Sequence, residues 1–185
     1  MCGGLAFVAL STAARAAPVS YALDAERSTV GFTYRLLGSD TAGTMPVAAA
    51  SIMIDFQSLA RTSADVTLAA NRARAGVVFA TEAMRSASVL DTARHPTIRF
   101  RSTRTRGTSR GAQMDGSLTI RGVTRPVTLS ARFLEPPGSN ATTRDRLSIE
   151  LTGSVLRSAF GATGYPDLVD DRIDIRIRAR LRRVS

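Results

Sequence analysis

The sequence predicts an all-β protein, an eight-stranded antiparallel up-and-down β-barrel with one short helical insertion. Residues 172–183, RIDIRIRARLRR, alternate apolar with charged side chains at a period of two, which is typical of a long, half-buried strand. Similar alternation recurs along the chain in nine segments, the first of them short, and indicates eight or so strands. A closed barrel of consecutive antiparallel strands leaves no exposed sheet edge. One stretch, residues 77–96, replaces the alternation with runs that favour a helix.

The elements follow in chain order from the same patterns. Residues 38–43 have a glycine at each end and are predicted as a turn. The helical insertion within residues 77–96 ends before Pro96 and is expected to serve as a lid or plug. The alternating segments are residues 21–24, 30–36, 47–56, 63–71, 97–105, 111–122, 125–133, 145–155 and 172–183.

The charge of the chain is one-sided. Its 25 basic residues are all arginine, and they stand against 15 acidic residues for a net charge of +10. This charge is compatible with nucleic acid, an anionic membrane surface or acidic lipid head groups as partners, and it selects none of them. A chain of 185 residues with 44% hydrophobic content can form one domain with its own core.

Residue types that catalytic and metal sites need are scarce. Cys2 is the single cysteine and His95 the single histidine, which excludes an internal disulfide framework and a Cys/His metal cluster. A Ser-His-Asp arrangement would depend on His95 alone, and the sequence contains no Gly-rich phosphate loop. We therefore expect no enzyme activity, no cofactor and no metal site.

Residues 1–16 are predicted to be a signal peptide, which leaves residues 17–185 as a single barrel domain. A short apolar run from Leu5 to Leu10 precedes Ala14, Arg15 and Ala16, a small-x-small pattern of the kind that signal peptidase cleaves. The usual positive charge ahead of the apolar run is missing, and the alternative is an N-terminal helix of the domain. The expected product is a soluble, exported protein.

The sequence leaves open whether the barrel is hollow. An eight-stranded barrel is close to the size at which side chains either fill the interior or enclose one small ligand. Aromatic residues make up 5% of the chain, and the inward positions carry many Ala, Ile, Val and Leu side chains. Small aliphatic side chains suit a slot for a flexible hydrocarbon, and they equally suit an ordinary core.

Three separated segments resemble the YceI-like polyisoprenoid-binding family. They are SVLDTARHPTIRF at residues 88–100, SLTIRGVTRPVTL at residues 117–129 and RSAFG at residues 157–161. The resemblance covers the chain from Tyr21 to about Leu181. It implies a lipocalin-like barrel, exported to the bacterial periplasm, that encloses a long isoprenoid chain such as a polyprenyl phosphate or a quinone tail.

The chain departs from the family pattern at two places. Leu36 precedes Leu37 and Gly38 where the family tends to carry a histidine. Residues 80–84 read ATEAM where the family tends to show Arg-Asp-x-His-Leu. If those family residues hold a head group, this chain binds a different head group, binds more weakly, or depends on its apolar slot.

The candidate ligand-binding residues are side chains on the predicted inward faces and two arginines. Arg85 and Arg157 are the cationic candidates for a phosphate or quinone oxygen, because an arginine fork can pair with two oxygens. The alternative for both is an ordinary solvated arginine. The inward candidates are Phe32, Tyr34, Leu36, Ile52, Ile54, Phe56, Phe100, Ile120, Phe160, Ile175 and Ile177.

An alternative function starts from the outward face of the last strand. We call this face the arginine stripe; it consists of Arg176, Arg178, Arg180 and Arg182. With a filled core, the protein would be a basic surface module that binds nucleic acid or an anionic membrane. The basic faces lack the aromatic platforms on which bases stack, so nucleic acid is not the expected partner, whereas peripheral contact with an anionic membrane surface is.

Overall fold

The computed structural model describes residues 17–108, 111–134 and 144–184. These residues form ten antiparallel strands in one closed sheet and one α-helix. The predicted signal peptide, residues 1–16, lies outside the described residues. The strands are β1 (Val19–Leu23), β2 (Thr29–Leu36), β3 (Ser39–Thr44), β4 (Val47–Ile54), β5 (Ser63–Ala69), β6 (Thr97–Thr108), β7 (Gly111–Ile120), β8 (Val123–Phe133), β9 (Arg146–Leu156) and β10 (Arg172–Arg183), and the helix is α1 (Val78–Arg85).

The ten strands occupy eight positions around a barrel. Strand β10 pairs with β2 along residues 174–178 and with β1 along residues 181–183, so β1 and β2 follow one another in the first position. Strands β3 and β4 share the second position, separated by Met45 and Pro46, and pair with β2 and β1 respectively. Each later strand pairs with the next, and the β1–β10 pairing closes the sheet. The predicted eight-stranded up-and-down barrel is confirmed.

One predicted turn is wrong over most of its length. Leu37 and Gly38 form a two-residue turn, but β3 follows at once and pairs with β2. The segment SDTAGT gave no strand signal because small and polar side chains replace the usual apolar alternation. Gly43 is needed here, since a Cβ at this position would lie 2.2 Å from the Phe32 ring.

The helical insertion is shorter than its sequence pattern suggested. Helix α1 ends at Arg85, and turns occupy most of the segment up to His95. The backbone N–H of Leu90 donates to the Met84 carbonyl, and the N–H of His95 donates to the Asp91 carbonyl. Serine near the end of α1 favours such turns because its hydroxyl competes for backbone groups. No helix in the described ranges has the length and apolar character needed to cross a bilayer.

The two ends of the barrel differ. At one end, which we call the helix end, lie α1, the β2–β3 turn, the β7–β8 turn and the loop of residues 161–171. The segment that leads into α1 passes close to the barrel wall, and it can do so because Ala70, Ala73 and Ala75 have almost no side chain to accommodate. The opposite end carries the connection that follows β4 and the final residues of β6 and β8.

Candidate ligand-binding cavity

The interior of the barrel is a cavity and not a filled core. Its volume is about 390 Å³, within the range of ligand pockets in proteins. The cavity extends from Leu23 and Leu59 near the opposite end to Phe79 and Leu168 at the helix end. Inward side chains of β10 such as Ile175 are only half-buried because they face this space.

The cavity lining includes most of the residues predicted to contact a ligand. Alternation along the strands placed the strand residues among them on inward faces, since every second side chain of a strand shares one face; Arg157 and Phe160 lie in a 3-10 turn after β9. The predicted residues along the cavity are Phe32, Tyr34, Leu36, Ile52, Ile54, Phe100, Ile120, Arg157, Phe160, Ile175 and Ile177.

Phe56 does not line the cavity. Strand β4 ends at Ile54, two residues before Phe56, so the alternation that predicted an inward Phe56 does not apply to this residue. The Phe56 ring instead packs at 6.4 Å from Tyr21 and 6.0 Å from Phe133. The guanidinium of Arg144 lies 4.2 Å from the centroid of the Phe56 ring. This aromatic cluster belongs to the packing at the opposite end of the barrel.

Arg85 also lies outside the cavity lining. Its Nη2 donates to the Ala73 carbonyl at 2.9 Å, and its Nη1 lies 3.4 Å from the Glu82 carboxylate. Arg85 therefore fastens the end of α1 to the segment that precedes the helix. The structure thus places this candidate away from the cavity lining, and its side chain is not the fully solvated arginine of the alternative.

Arg157 does line the cavity, but its donors are already engaged. Nε donates to the Asp170 carbonyl, Nη1 to the carbonyls of Ala162 and Gly164, and Nη2 to the Val169 carbonyl, over distances of 2.7 to 3.1 Å. Four of the five N–H groups of the guanidinium are thus used. Arg157 stabilises the loop at the helix end and has little capacity left to bind a ligand.

The Tyr34 hydroxyl is engaged in the same way. Tyr34 is buried, and its hydroxyl donates to the Ala75 carbonyl at 2.6 Å. Burial raises the pKa of this phenol above its ordinary value. The neutral hydroxyl is therefore a fixed link between β2 and the segment before α1.

Charged groups contribute little to the cavity. Arg132 and Arg157 are the two arginines along it, and the Arg132 guanidinium points to the Glu150 carboxylate at 3.1 Å. Among the described residues, no group of three or more His, Cys, Asp or Glu side chains could hold a metal ion. The arrangement is suited to an apolar ligand that is bound through surface burial.

The sequence also matches a known family. The pattern of the YceI-like domain fits residues 21–181, which is most of the chain. The chain belongs to the YceI-like family. A UPF0312 protein of Enterobacter sp. (strain 638) is 29% identical over 157 residues, which cover 83% of this chain and 81% of that protein.

Solved structures with the same fold share few residues with this YceI-like chain. BcnA of Burkholderia cenocepacia superposes with a TM-score of 0.75 at 18% identity, over 86% of this chain and 99% of BcnA. The YceI protein of Campylobacter jejuni gives a TM-score of 0.61 at 20% identity, over 77% and 84%. A polyisoprenoid-binding domain from Saccharophagus degradans gives 0.63 at 13% identity, over 90% and 99%. These likenesses support the lipocalin-like barrel fold.

The three segments that resemble the YceI-like family meet at the helix end. Arg121 Nη1 donates to the Val89 carbonyl at 2.7 Å, and Arg125 Nε donates to the Ala159 carbonyl at 3.1 Å. The second segment is thereby bonded to both the first and the third. Their common role in this chain is to hold the loops that surround one mouth of the cavity.

Several lining residues were absent from the predicted set. Those on strands had a usable signal, because they continue the same inward alternation in β6, β7, β8 and β9. Those on α1 and its following turns had none, since strand periodicity does not extend into a connection. The missed residues include Ile98, Met114, Leu118, Leu129, Leu151, Ala83, Met84 and Leu90.

Proposed function

We propose that this protein is a non-catalytic carrier that encloses a long isoprenoid chain, a polyprenyl phosphate or an isoprenoid quinone, inside its barrel. The observation that carries the proposal is the apolar cavity of about 390 Å³. Membership of the YceI-like family and the likeness to a polyisoprenoid-binding domain support the choice of an isoprenoid. The predicted signal peptide at residues 1–16 supports action in the bacterial periplasm.

The cavity accounts for affinity through the tail of the ligand. Burial of one methylene group contributes about 0.8 kcal/mol, so each five-carbon isoprene unit contributes a few kcal/mol before ordering costs are subtracted. The donors of Arg157 and Tyr34 are engaged with backbone carbonyls, so these two residues leave the head group without a dedicated cationic or hydroxyl contact. We infer that tail burial dominates binding and that the head group lies at a mouth of the barrel.

The arginine stripe supports a second candidate, contact with an anionic membrane surface. Arg178 and Arg182 are exposed and have no side-chain partner among the described residues. Arg176 lies 3.8 Å from Glu150, and Arg180 is hydrogen-bonded to the Ser148 hydroxyl. The stripe thus carries free charge but also covers buried polar groups of β9. Binding to phosphates through the stripe would weaken steeply as salt rises, whereas tail binding would not.

Native mass spectrometry of the exported protein, followed by organic extraction, tests the carrier function. We expect a co-purifying mass that corresponds to a polyprenyl compound or an isoprenoid quinone. An empty, stable barrel that also ignores added polyprenyl alcohol and quinone would refute the carrier function.

A charge placed in the cavity tests the lining assignment. Ile175→Asp would put a carboxylate against the ligand tail, and we expect it to reduce co-purifying ligand by about ten-fold or more, because burying an unpaired charge is costly. Met53→Asp is the matched control, since Met53 is exposed and its neighbours Ile52 and Ile54 are the residues that face inward. A folded Ile175→Asp variant that retains its lipid would contradict the assignment.

A further inference from the structure

Large apolar side chains are exposed together at the helix end. Val78 is 84% exposed, Leu37 71% and Phe79 65%. These residues come from connections far apart in sequence, and a hydrogen bond from the Leu37 N–H to the Leu168 carbonyl at 2.8 Å joins two of the connections. We call this surface the apolar rim; it consists of Leu37, Val77, Val78, Phe79, Tyr165 and Leu168.

Leu37 is an unfavourable residue for the turn that it occupies. Its φ of 51° and that of Gly38, 79°, are both positive, as in the two-residue hairpin turns that favour Asn-Gly. A leucine there is both conformationally strained and exposed to water. Leucine at this position does not stabilise the free protein in water. An apolar environment around the turn would explain why leucine is present.

The apolar rim is continuous with the cavity lining. Phe79, Tyr165 and Leu168 are exposed to solvent and also line the cavity. Leu36, which lines the cavity, directly precedes Leu37. An apolar surface therefore extends without interruption from the interior of the barrel to its outside at this mouth.

Charges near the apolar rim complement a phospholipid surface. Arg72 and Arg74 are exposed on the segment that leads into Val77, and neither has a carboxylate partner in the described ranges. Their guanidinium groups can reach lipid phosphates while the tip of the segment enters the acyl region. Asp40 and Asp167 are exposed nearby, so the rim is not strongly basic and apolar contact must supply most of its affinity.

We infer that the apolar rim inserts into the surface of a phospholipid bilayer, so that this mouth of the cavity opens toward the acyl chains. Cargo then passes between bilayer and barrel without its tail crossing water. This inference rests on the proposed carrier function, and it assigns membrane contact to the helix end and not to the arginine stripe. The barrel axis would stand across the membrane surface.

Flotation with phosphatidylcholine vesicles, with and without phosphatidylglycerol, tests the inference. Leu37 and Val78 belong to the apolar rim but do not line the cavity, so the double variant Leu37→Asp/Val78→Asp separates the two functions. We expect it to lower vesicle partitioning by about ten-fold or more. Met53→Asp, an equivalent change on the outer wall, should leave partitioning unchanged. Phosphatidylglycerol should raise binding of the unmodified protein a few-fold through Arg72 and Arg74.

The remaining outcomes discriminate between the two proposals. Unchanged vesicle binding by the double variant, or no binding by the unmodified protein, overturns the role of the apolar rim. Dimerisation of the unmodified protein that the double variant abolishes also overturns it, since the rim would then contact a second copy. Native mass spectrometry of the same samples reports cavity ligand separately: ligand retained with vesicle binding lost supports both proposals, and an empty cavity in every sample counts against the carrier alone.

Discussion

The arginine stripe and the apolar rim are both exposed to solvent, but hydration is favourable for the stripe and unfavourable for the rim. The arginines of the stripe face solvent, which hydrates their charge, and they cover Glu150, which is only 5% exposed. Val78 and Phe79 of the rim also face solvent, but exposure of apolar side chains to water is unfavourable. The net charge of +10 points to the stripe as the binding surface, whereas the surface with an unfavourable exposure to water is the rim.

Arginines differ between the two regions as well. At the helix end, Arg157 donates to four backbone carbonyls and Arg121 to two. On the stripe, Arg178 has no such bonds among the described residues. Carbonyl groups of loops need donors when water is excluded from them, because an unpaired buried carbonyl is costly. The helix end therefore depends on Arg157 and Arg121 for structure, whereas Arg178 on the outer wall of β10 has no such role.

The same arginine-to-methionine substitution in each region should give the largest difference in the free energy of unfolding. Arg157→Met leaves four carbonyls without their donor, and we expect it to lower the free energy of unfolding by about 3 kcal/mol or more. Arg178→Met should change it by about 0.5 kcal/mol or less, since an exposed arginine contributes little. Urea denaturation monitored by circular dichroism measures both variants.

Arg157→Lys is the control for charge in this experiment. Lysine keeps the positive charge but cannot direct donors to four carbonyls from one planar group, so most of the stability loss should persist. Equal losses for Arg157→Met and Arg178→Met would contradict the structural role of Arg157. Full recovery in Arg157→Lys would show that charge, and not the set of hydrogen bonds, is what the loop needs.

The sequence predicted the wall of the barrel better than its ends. Alternation identifies which strand residues face inward, and it placed Ile175 and Phe100 along the cavity without any knowledge of neighbours. It missed β3, whose small side chains pair through the backbone alone. It also extended β4 as far as Phe56, because a period of two does not show where pairing stops.

The ends of the barrel could not be predicted for a physical reason. The role of Arg157 depends on carbonyls of residues 162–170, which come within reach only after the loop has folded back. The apolar rim joins Leu37 with Leu168, more than a hundred residues away, and no local pattern marks that meeting. Leu37 followed by Gly38 was the one local signal, since leucine is out of place at such a turn.

Relief of the backbone strain at Leu37 should change the free energy of unfolding by an intermediate amount. Leu37→Asn replaces leucine with a residue that tolerates a positive φ, and we expect the free energy of unfolding to rise by about 0.5 kcal/mol. Vesicle binding should fall in the same variant, because an apolar side chain of the rim is lost. Urea denaturation and flotation measure the two effects, and a loss of stability would mean that Leu37 packs favourably in water.

The β7–β8 turn provides the matched control. Arg121 has a φ of 52° and Gly122 one of 75°, so the backbone conformation resembles that of Leu37 and Gly38. Arg121→Asn should relieve the same strain, but it also removes the hydrogen bonds to the carbonyls of Ala87 and Val89. The expected sign is therefore the opposite, a net destabilisation. If Leu37→Asn and Arg121→Asn change the free energy of unfolding in the same direction, the hydrogen bonds of Arg121 do not distinguish the two turns.

Removing ion pairs on the outer wall should change the free energy of unfolding least. The pH dependence of stability shows whether these ion pairs stabilise the fold. Hydrogen bonds from Arg99 and, more weakly, from Arg101 lower the pKa of the Asp65 carboxyl to about 2. The unfolded chain has the ordinary value near 3.8, so this pair stabilises the fold above about pH 4 and loses its contribution as the pH falls toward 2. Asp65→Asn should flatten that part of the stability profile only slightly, because both arginines are more than half exposed. Urea midpoints of the two proteins between pH 4 and pH 2 measure the difference. A large difference would mean that wall charges contribute substantially to folding, and the contrast between a wall that tolerates change and a helix end that does not would then fail.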